Sequence, residues 1–270
     1  MKIGIIGFGY VGKAMYNFFL DKYDVIYYDN NPVISGSTKK EINNCDLGII
    51  CVPTPSTENG KCDTSIVEEV IDWLNTPLIL IKSTIEIGTT QRLIEKTKKN
   101  IVFSPEYIGE SDYDTGIYNF NKDMNKIGFF TFGGEKTITN KIVNIFQKIA
   151  GPNKKYIQTD STTAEVAKYM ENAYLSSKVT FCYEMAEICK NVGCNYNEVR
   201  ELWLQDPRIG TSHTSVFFDS ILPFSGKCLP KDLKALIYIS EQNGYCPKYL
   251  KEILESNSRI GEIRQKEKLD

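Results

Sequence analysis

The sequence predicts an α/β chain, an N-terminal doubly wound parallel sheet followed by an all-helical domain with one long helix, and three observations predict it. Short, strand-sized apolar runs alternate with stretches of helical periodicity through residues 1–158. The first such run enters its helix through three closely spaced glycines. Beyond residue 158 strand-like runs give way to long helical patterns, so residues 159–270 form the helical domain. Strands that alternate with helices pair in parallel and are covered on both faces.

Residues 2–7 are a continuous apolar run ending in glycine, Val11 to Leu20 carry helical periodicity, and Val25 to Tyr28 form the next apolar run. Further strands are expected at 46–52, 78–82, 101–103 and 126–132, with helices near 63–74, 88–99 and 135–149. The helical segment reads as 162–192, 195–205, 229–243 and 246–266. Thr162 and Glu165 have capping-box spacing at the start of the first of these. That helix exceeds the usual globular length and is expected to link two domains or two subunits.

Composition narrows the function. The chain has 270 residues, 41% of them hydrophobic, and 32 basic against 34 acidic side chains. A net charge near zero gives no general attraction to nucleic acid or to an anionic membrane, so a phosphate-bearing ligand must be held locally. The longest apolar stretches, such as Leu78 to Ile81, fall far short of the roughly 20 residues that span a bilayer. Met1 and Lys2 lead straight into a glycine-punctuated strand, so no signal peptide is expected and the location reads as cytoplasmic. Eight cysteines, at 45, 51, 62, 182, 189, 194, 228 and 246, include no CxxC pair, and a single histidine completes no metal quartet. No metal is expected, and most of the cysteines read as buried small hydrophobes. His213, in a Ser/Thr-rich stretch, reads as a surface residue.

The opening KIGIIGFGYVG places Gly7, Gly9 and Gly12 in a GxGxxG pattern between strand and helix, with Tyr10 and Val11 inside the turn. The first glycine permits the turn, the second lets backbone approach a pyrophosphate, and the third packs helix on strand. Asp29 closes the second strand, where a carboxylate accepts hydrogen bonds from ribose hydroxyls and repels a 2′-phosphate. Asn30 and Asn31 follow, with no arginine, so NAD is expected over NADP in a Rossmann-type domain. Cys51-Val-Pro-Thr-Pro55 is a stiff loop at the same sheet edge, either a wall for the nicotinamide, with Pro53, or simply a rigid turn. Lys82-Ser-Thr84 offers hydroxyls at that level.

Lys168 and Asn172 stand four apart on the long helix, with Glu165 three residues earlier, so all three share a face. In Gly226-Lys-Cys-Leu-Pro-Lys-Asp232, Pro230 suits a first helical turn and sets Cys228 at its start. A helix N-terminus and the cations Lys227 and Lys231 favour a thiolate. Cys228 is thus either a nucleophile or a cysteine that merely begins a helix.

The segments GFGYVG, CVPTP, KSTIEIGTT, SPEYIGES, AEVAKYMENAYLSSKVTFCYEMAE, DPRIG and CLPKD, in that order, resemble the UDP-glucose/GDP-mannose dehydrogenase family. The resemblance implies NAD-dependent oxidation of a nucleotide sugar, UDP-glucose favoured, from primary alcohol to uronic acid. It implies that Cys228 captures the aldehyde as a thiohemiacetal that becomes a thioester, with Lys168 and Asn172 stabilising the oxyanion. Glu106 matches the base for thioester hydrolysis, and Thr84 and Asp232 the pair that positions water. Glu110 matches a second acid of its motif, Arg208 an arginine that reaches a neighbouring subunit's substrate, and Gly226 the substrate loop. A homodimer through the long helix is expected. The sequence departs from the family in two places. Pro223-Phe-Ser-Gly226 replaces a glycine-rich loop, and the chain stops about where a third, nucleotide-gripping domain is expected. An active dehydrogenase, a catalytic half needing a partner domain or another substrate, and a non-catalytic NAD-binding protein are the three readings this leaves.

Overall fold

The computed structural model describes residues 1–108, 123–217, 220–226 and 228–267. Contacts divide the chain into two compact units. The first is Met1–Pro55 with Cys62–Lys168, and the second is Ser56–Lys61 with Tyr169–Asp270.

In the first unit the strands are β1 Lys2–Ile6, β2 Asp24–Tyr28, β3 Leu47–Ile50, β4 Leu78–Ile81, β5 Ile101–Phe103, β6 Phe129–Gly133 and β7 Lys155–Thr159. The helices are α1 Tyr10–Leu20, α2 Lys39–Ile42, α3 Ser65–Trp73, α4 Thr89–Thr97 and α5 Lys136–Ala150. The strands form one sheet in the order β2-β1-β3-β4-β5-β6-β7. From β1 the chain passes to one side for β2 and to the other for β3, which makes their carboxyl ends a switch point where open α/β sheets bind ligands.

Side chains alternate across the pleat and both faces are apolar, so helices must cover both. Ile3, Ile5, Leu47, Ile49, Leu80 and Val102 pack with Phe18, Phe19 and Phe146 of α1 and α5. Ile6, Ile50, Ile79, Ile81, Ile101 and Phe103 take the opposite face, with Val67, Ile71 and Leu93 of α3 and α4.

Two details of the sheet depart from the sequence expectation. The sheet is not wholly parallel, because β6 meets β5 antiparallel at Phe103 and Gly133. The cause is that β6, α5 and β7 make their own parallel βαβ unit, which joins the sheet in reverse. The edge strand β7, Lys-Tyr-Ile-Gln-Thr, went unrecognised because it is largely exposed and carries no apolar run.

Helix α6, Ser161–Val192, begins in the first unit and continues in the second, which also contains α7 Tyr196–Trp203, α8 Leu229–Gln242 and α9 Lys248–Glu267. The second unit has its own core, built from Ala173, Cys182, Tyr183, Leu233, Ile237 and Ile253 among others. Thr162 and Glu165 do not form a capping box. Asp160 caps α6, accepting from the Thr163 amide at 2.8 Å. Glu165 is fully buried and accepts instead from the Gly88 and Thr90 amides at 2.5 and 3.0 Å, where α4 begins. Burial raises the Glu165 carboxyl above its ordinary value, and those bonds to Thr90 and Gly88 pull the other way.

Candidate functional site

The glycine turn after β1 has the shape its spacing predicts. Gly7 takes φ +88° and a Cβ on it would lie 2.7 Å from the Cys51 carbonyl, so β1 and β3 approach there as only glycine allows. A Cβ on Gly12 would fall 2.0 Å from the Gly7 carbonyl, whereas one on Gly9 meets nothing within 4 Å. The first and third glycines serve close packing, and the second faces open space. Helix α1 starts on Gly9 with no side-chain cap and no acid in its first turn. Its positive end therefore suits an anionic ligand, and Tyr10 and Val11 form that first turn.

Asp29 follows β2 and ties the turn down, accepting from the Phe8 amide at 2.8 Å and the Asn31 amide at 2.9 Å. Each carboxylate oxygen retains a second acceptor site. Beside it lies a cleft of about 520 Å³ lined by Tyr28, Asp29, Asn30, Ser35, Thr38 and Lys39. An open second glycine, an uncapped helix start and an acid beside a cleft fit a dinucleotide.

The loops after β3 and β4 are stitched together. Ser83 Oγ donates to the Val52 carbonyl at 2.7 Å, and Thr54 Oγ1 donates to the Thr84 carbonyl at 2.6 Å. Pro53 is exposed and Thr84 half-buried.

Lys82, which the sequence reading left without a role, lies under these loops. It is 3% exposed and Glu106 8%, with Lys82 Nζ 3.3 Å from Glu106 Oε2. Lys82 also donates to the Pro105 carbonyl at 2.8 Å. Glu106 Oε1 accepts from the Tyr107 and Ile108 amides at 2.8 and 2.7 Å. A charged residue terminating the apolar run Leu78–Ile81 was the signal for Lys82. Its partner 24 positions later was not legible. Lys168 is buried, its ammonium 5.1 Å from the centre of the Tyr107 ring, a distance at which ring and cation attract.

In the second unit Asn172, Asp232 and Cys228 are neighbours. Asn172 Nδ2 donates to Asp232 Oδ2 at 2.5 Å, and the Asp232 amide donates to the Cys228 carbonyl at 2.9 Å. Cys228 is the N-cap residue of α8 and is exposed, with Pro230 in the first turn. Lys231 is not an unmatched cation beside the thiol, because its ammonium donates to Asp232 Oδ1 at 2.5 Å. Lys227 and Glu110 lie outside the described residues.

Arg208 points outward, its guanidinium held by Asp206 through Nε at 2.9 Å and Nη2 at 2.5 Å. Gly226 is exposed and a Cβ there meets nothing within 4 Å. Phe224, which stands in the replaced glycine stretch, is buried, with its amide donating to Asn257 Oδ1 at 3.0 Å. His213 is only partly at the surface. It is half-buried at φ +61° and bonds Ser212 through Nδ1 at 2.5 Å. Four of the cysteines, 45, 62, 182 and 189, are buried and Cys51 partly so, while 194, 228 and 246 are exposed.

Sequence comparison places both halves of the chain in one family. The NAD binding domain of the UDP-glucose/GDP-mannose dehydrogenase family matches residues 30–149, and the central domain of the same family matches residues 162–259. The chain is 31% identical over 233 residues to a UDP-glucose 6-dehydrogenase of Rickettsia conorii, covering 81% of this chain and 50% of that protein. It is 28% identical over 247 residues to UDP-glucose 6-dehydrogenase TuaD of Bacillus subtilis, covering 86% and 50%. It thus spans about half the length of these relatives. A UDP-glucose dehydrogenase structure from Pyrobaculum islandicum superimposes with a TM-score of 0.83 at 22% identity, over 96% of this chain and 68% of that one, and so shares its fold.

Proposed function

We propose that this chain, which belongs to the UDP-glucose/GDP-mannose dehydrogenase family, oxidises the primary alcohol of a nucleotide sugar, with UDP-glucose favoured, to the uronic acid. Its cofactor is NAD, which when bound would supply the hydride acceptor for both oxidations. The observation that carries this reading is Cys228 itself, an exposed cysteine at the N-cap of α8, the helix whose first turn holds the buried Asp232 that Asn172 bonds at 2.5 Å. A thiol at a helix start is equipped to hold an aldehyde covalently.

In this proposal the proton of the exposed Cys228 thiol passes to solvent water and the sulfur adds to the aldehyde carbon as the carbonyl oxygen gains charge. Lys168 and Asn172 stabilise that oxygen. Asn172 Nδ2 carries two hydrogens, of which Asp232 takes one. Glu106 takes a proton from the water that cleaves the thioester, and Thr84 and Asp232 position that water. Gly7, Gly9, Tyr10, Val11, Gly12, Asp29 and Pro53 contact the dinucleotide. Glu110, Arg208 and Gly226 contact the sugar nucleotide.

The proposal includes a cytoplasmic location and a homodimer through α6. The exposed Met170, Tyr174, Phe181, Ile188 and Val192 support the latter, because they form an apolar stripe along that helix. Among the described residues, no helix is long and apolar enough to cross a membrane.

The test is to incubate the chain with NAD and a panel of UDP- and GDP-sugars, following NADH and identifying products. The expected result is UDP-glucuronate from UDP-glucose. Silence across the panel by a protein that binds NAD would overturn the activity of this chain by itself and favour either a catalytic half that needs a partner domain or another substrate, or a non-catalytic NAD-binding role.

A further inference from the structure

The turn that ends α6 carries a pair of thiols that the proposed chemistry does not use. Gly193 takes φ +81°, and the Cys194 amide donates to the Cys189 carbonyl at 2.9 Å. A left-handed glycine followed by this six-residue hydrogen bond is the Schellman arrangement, which brings together the side chains at the two ends of that bond. In most proteins the touching pair is apolar; here both members are cysteine. Cys189 is 3% exposed and Cys194 is exposed. Burial first and then the Cys194 neighbour hold the Cys189 thiol above its ordinary value.

We propose that Cys189 and Cys194 form a redox couple that closes to an intramolecular disulfide and fixes the α6–α7 junction. The division of labour follows from exposure. Cys194 sulfur, open to solvent, attacks a low-molecular-weight disulfide of the glutathione class, forming a mixed disulfide and releasing one thiol. Cys189 then gives up its proton and attacks the Cys194 sulfur of that mixed disulfide, releasing the second thiol. Two protein S–H bonds are lost and one S–S bond forms, while the small disulfide is reduced by the same two electrons.

The consequence passes through α7. Asn195, next to Cys194, caps α7 by accepting from the Asn197 amide at 2.9 Å. On that helix Tyr196 Oη donates to the Thr214 carbonyl at 2.7 Å, and Arg200 Nε donates to Thr214 Oγ1 at 2.9 Å. Closing the couple restrains the segment that anchors the 211–216 loop.

The test treats the full chain with oxidised glutathione, blocks remaining thiols by alkylation and maps peptides without reduction. The expected product links Cys189 to Cys194 and is lighter by two hydrogens, with slower amide exchange over 193–197. In Cys189→Ala, Cys194 should stop at the mixed disulfide. In Cys194→Ser, Cys189 should stay reduced. A stable glutathione adduct on wild-type Cys194 beside a reduced Cys189 would overturn the proposal. So would both thiols remaining alkylatable while exposed Cys246 is oxidised in the same sample.

Discussion

Lys82 and Glu106 face each other at 3.3 Å with side chains 2% and 9% exposed, an ion pair closed off from water beneath the carboxyl edge of the sheet. Removing one partner leaves the other charge buried. Lys82→Met is expected to cost about 3–5 kcal/mol in urea unfolding. Glu106→Gln should cost less, because its oxygen still accepts from Tyr107 and Ile108 and Lys82 keeps the Pro105 carbonyl. The double variant should recover part of the loss.

Glu165 joins α6 to α4 by accepting two buried amides. Glu165→Ala leaves the Gly88 and Thr90 N–H groups without that acceptor, and a loss of about 1–3 kcal/mol is expected. Unfolding by denaturant measures it, and Val166→Ala, at a more exposed neighbouring position, is the control that should change little.

These two residues also mark where sequence reading ran out. The glycine turn, the alternation of strands and helices and the helix start at Pro230 are local patterns, and the structure follows them. Thr162 and Glu165 were a local pattern too, but Asp160 outcompeted Thr162 for the helix start and the docking of α4 claimed Glu165. Lys82 needed a partner 24 residues away, and pairing at that range is set by sheet topology rather than spacing. The half-burial of His213 was hidden because its Ser/Thr-rich neighbours look solvated in one dimension.

The glycines should separate folding from binding. Gly12→Ala places a methyl against the Gly7 carbonyl and is expected to destabilise at the upper end of about 1–3 kcal/mol. Gly9→Ala meets open space and should cost no more than about 0.5–1 kcal/mol. It should nevertheless weaken NAD about tenfold, about 1.4 kcal/mol, by occupying the space the pyrophosphate needs. Calorimetric titration and thermal melts on the same samples check both.

His213 is the only histidine, so its proton resonances titrate without overlap. Burial, assisted by Lys178, lowers its pKa, and the midpoint is expected below the ordinary value of about 6.5. The folded state therefore holds fewer protons than the unfolded one in that interval. The stability this contributes is complete above the unfolded value and is lost as pH falls toward the folded value. His213→Asn, which tolerates positive φ, should flatten that part of the stability profile.

Covalent capture by Cys228 is the central claim, and Cys228→Ser tests it most directly. Wild-type protein and variant are given NAD and UDP-glucose, and NADH and UDP-glucuronate are measured together. The account expects wild-type protein to release two NADH for each acid, and the variant to bind NAD equally well while forming no acid. Uronic acid production by Cys228→Ser at the wild-type rate would contradict it.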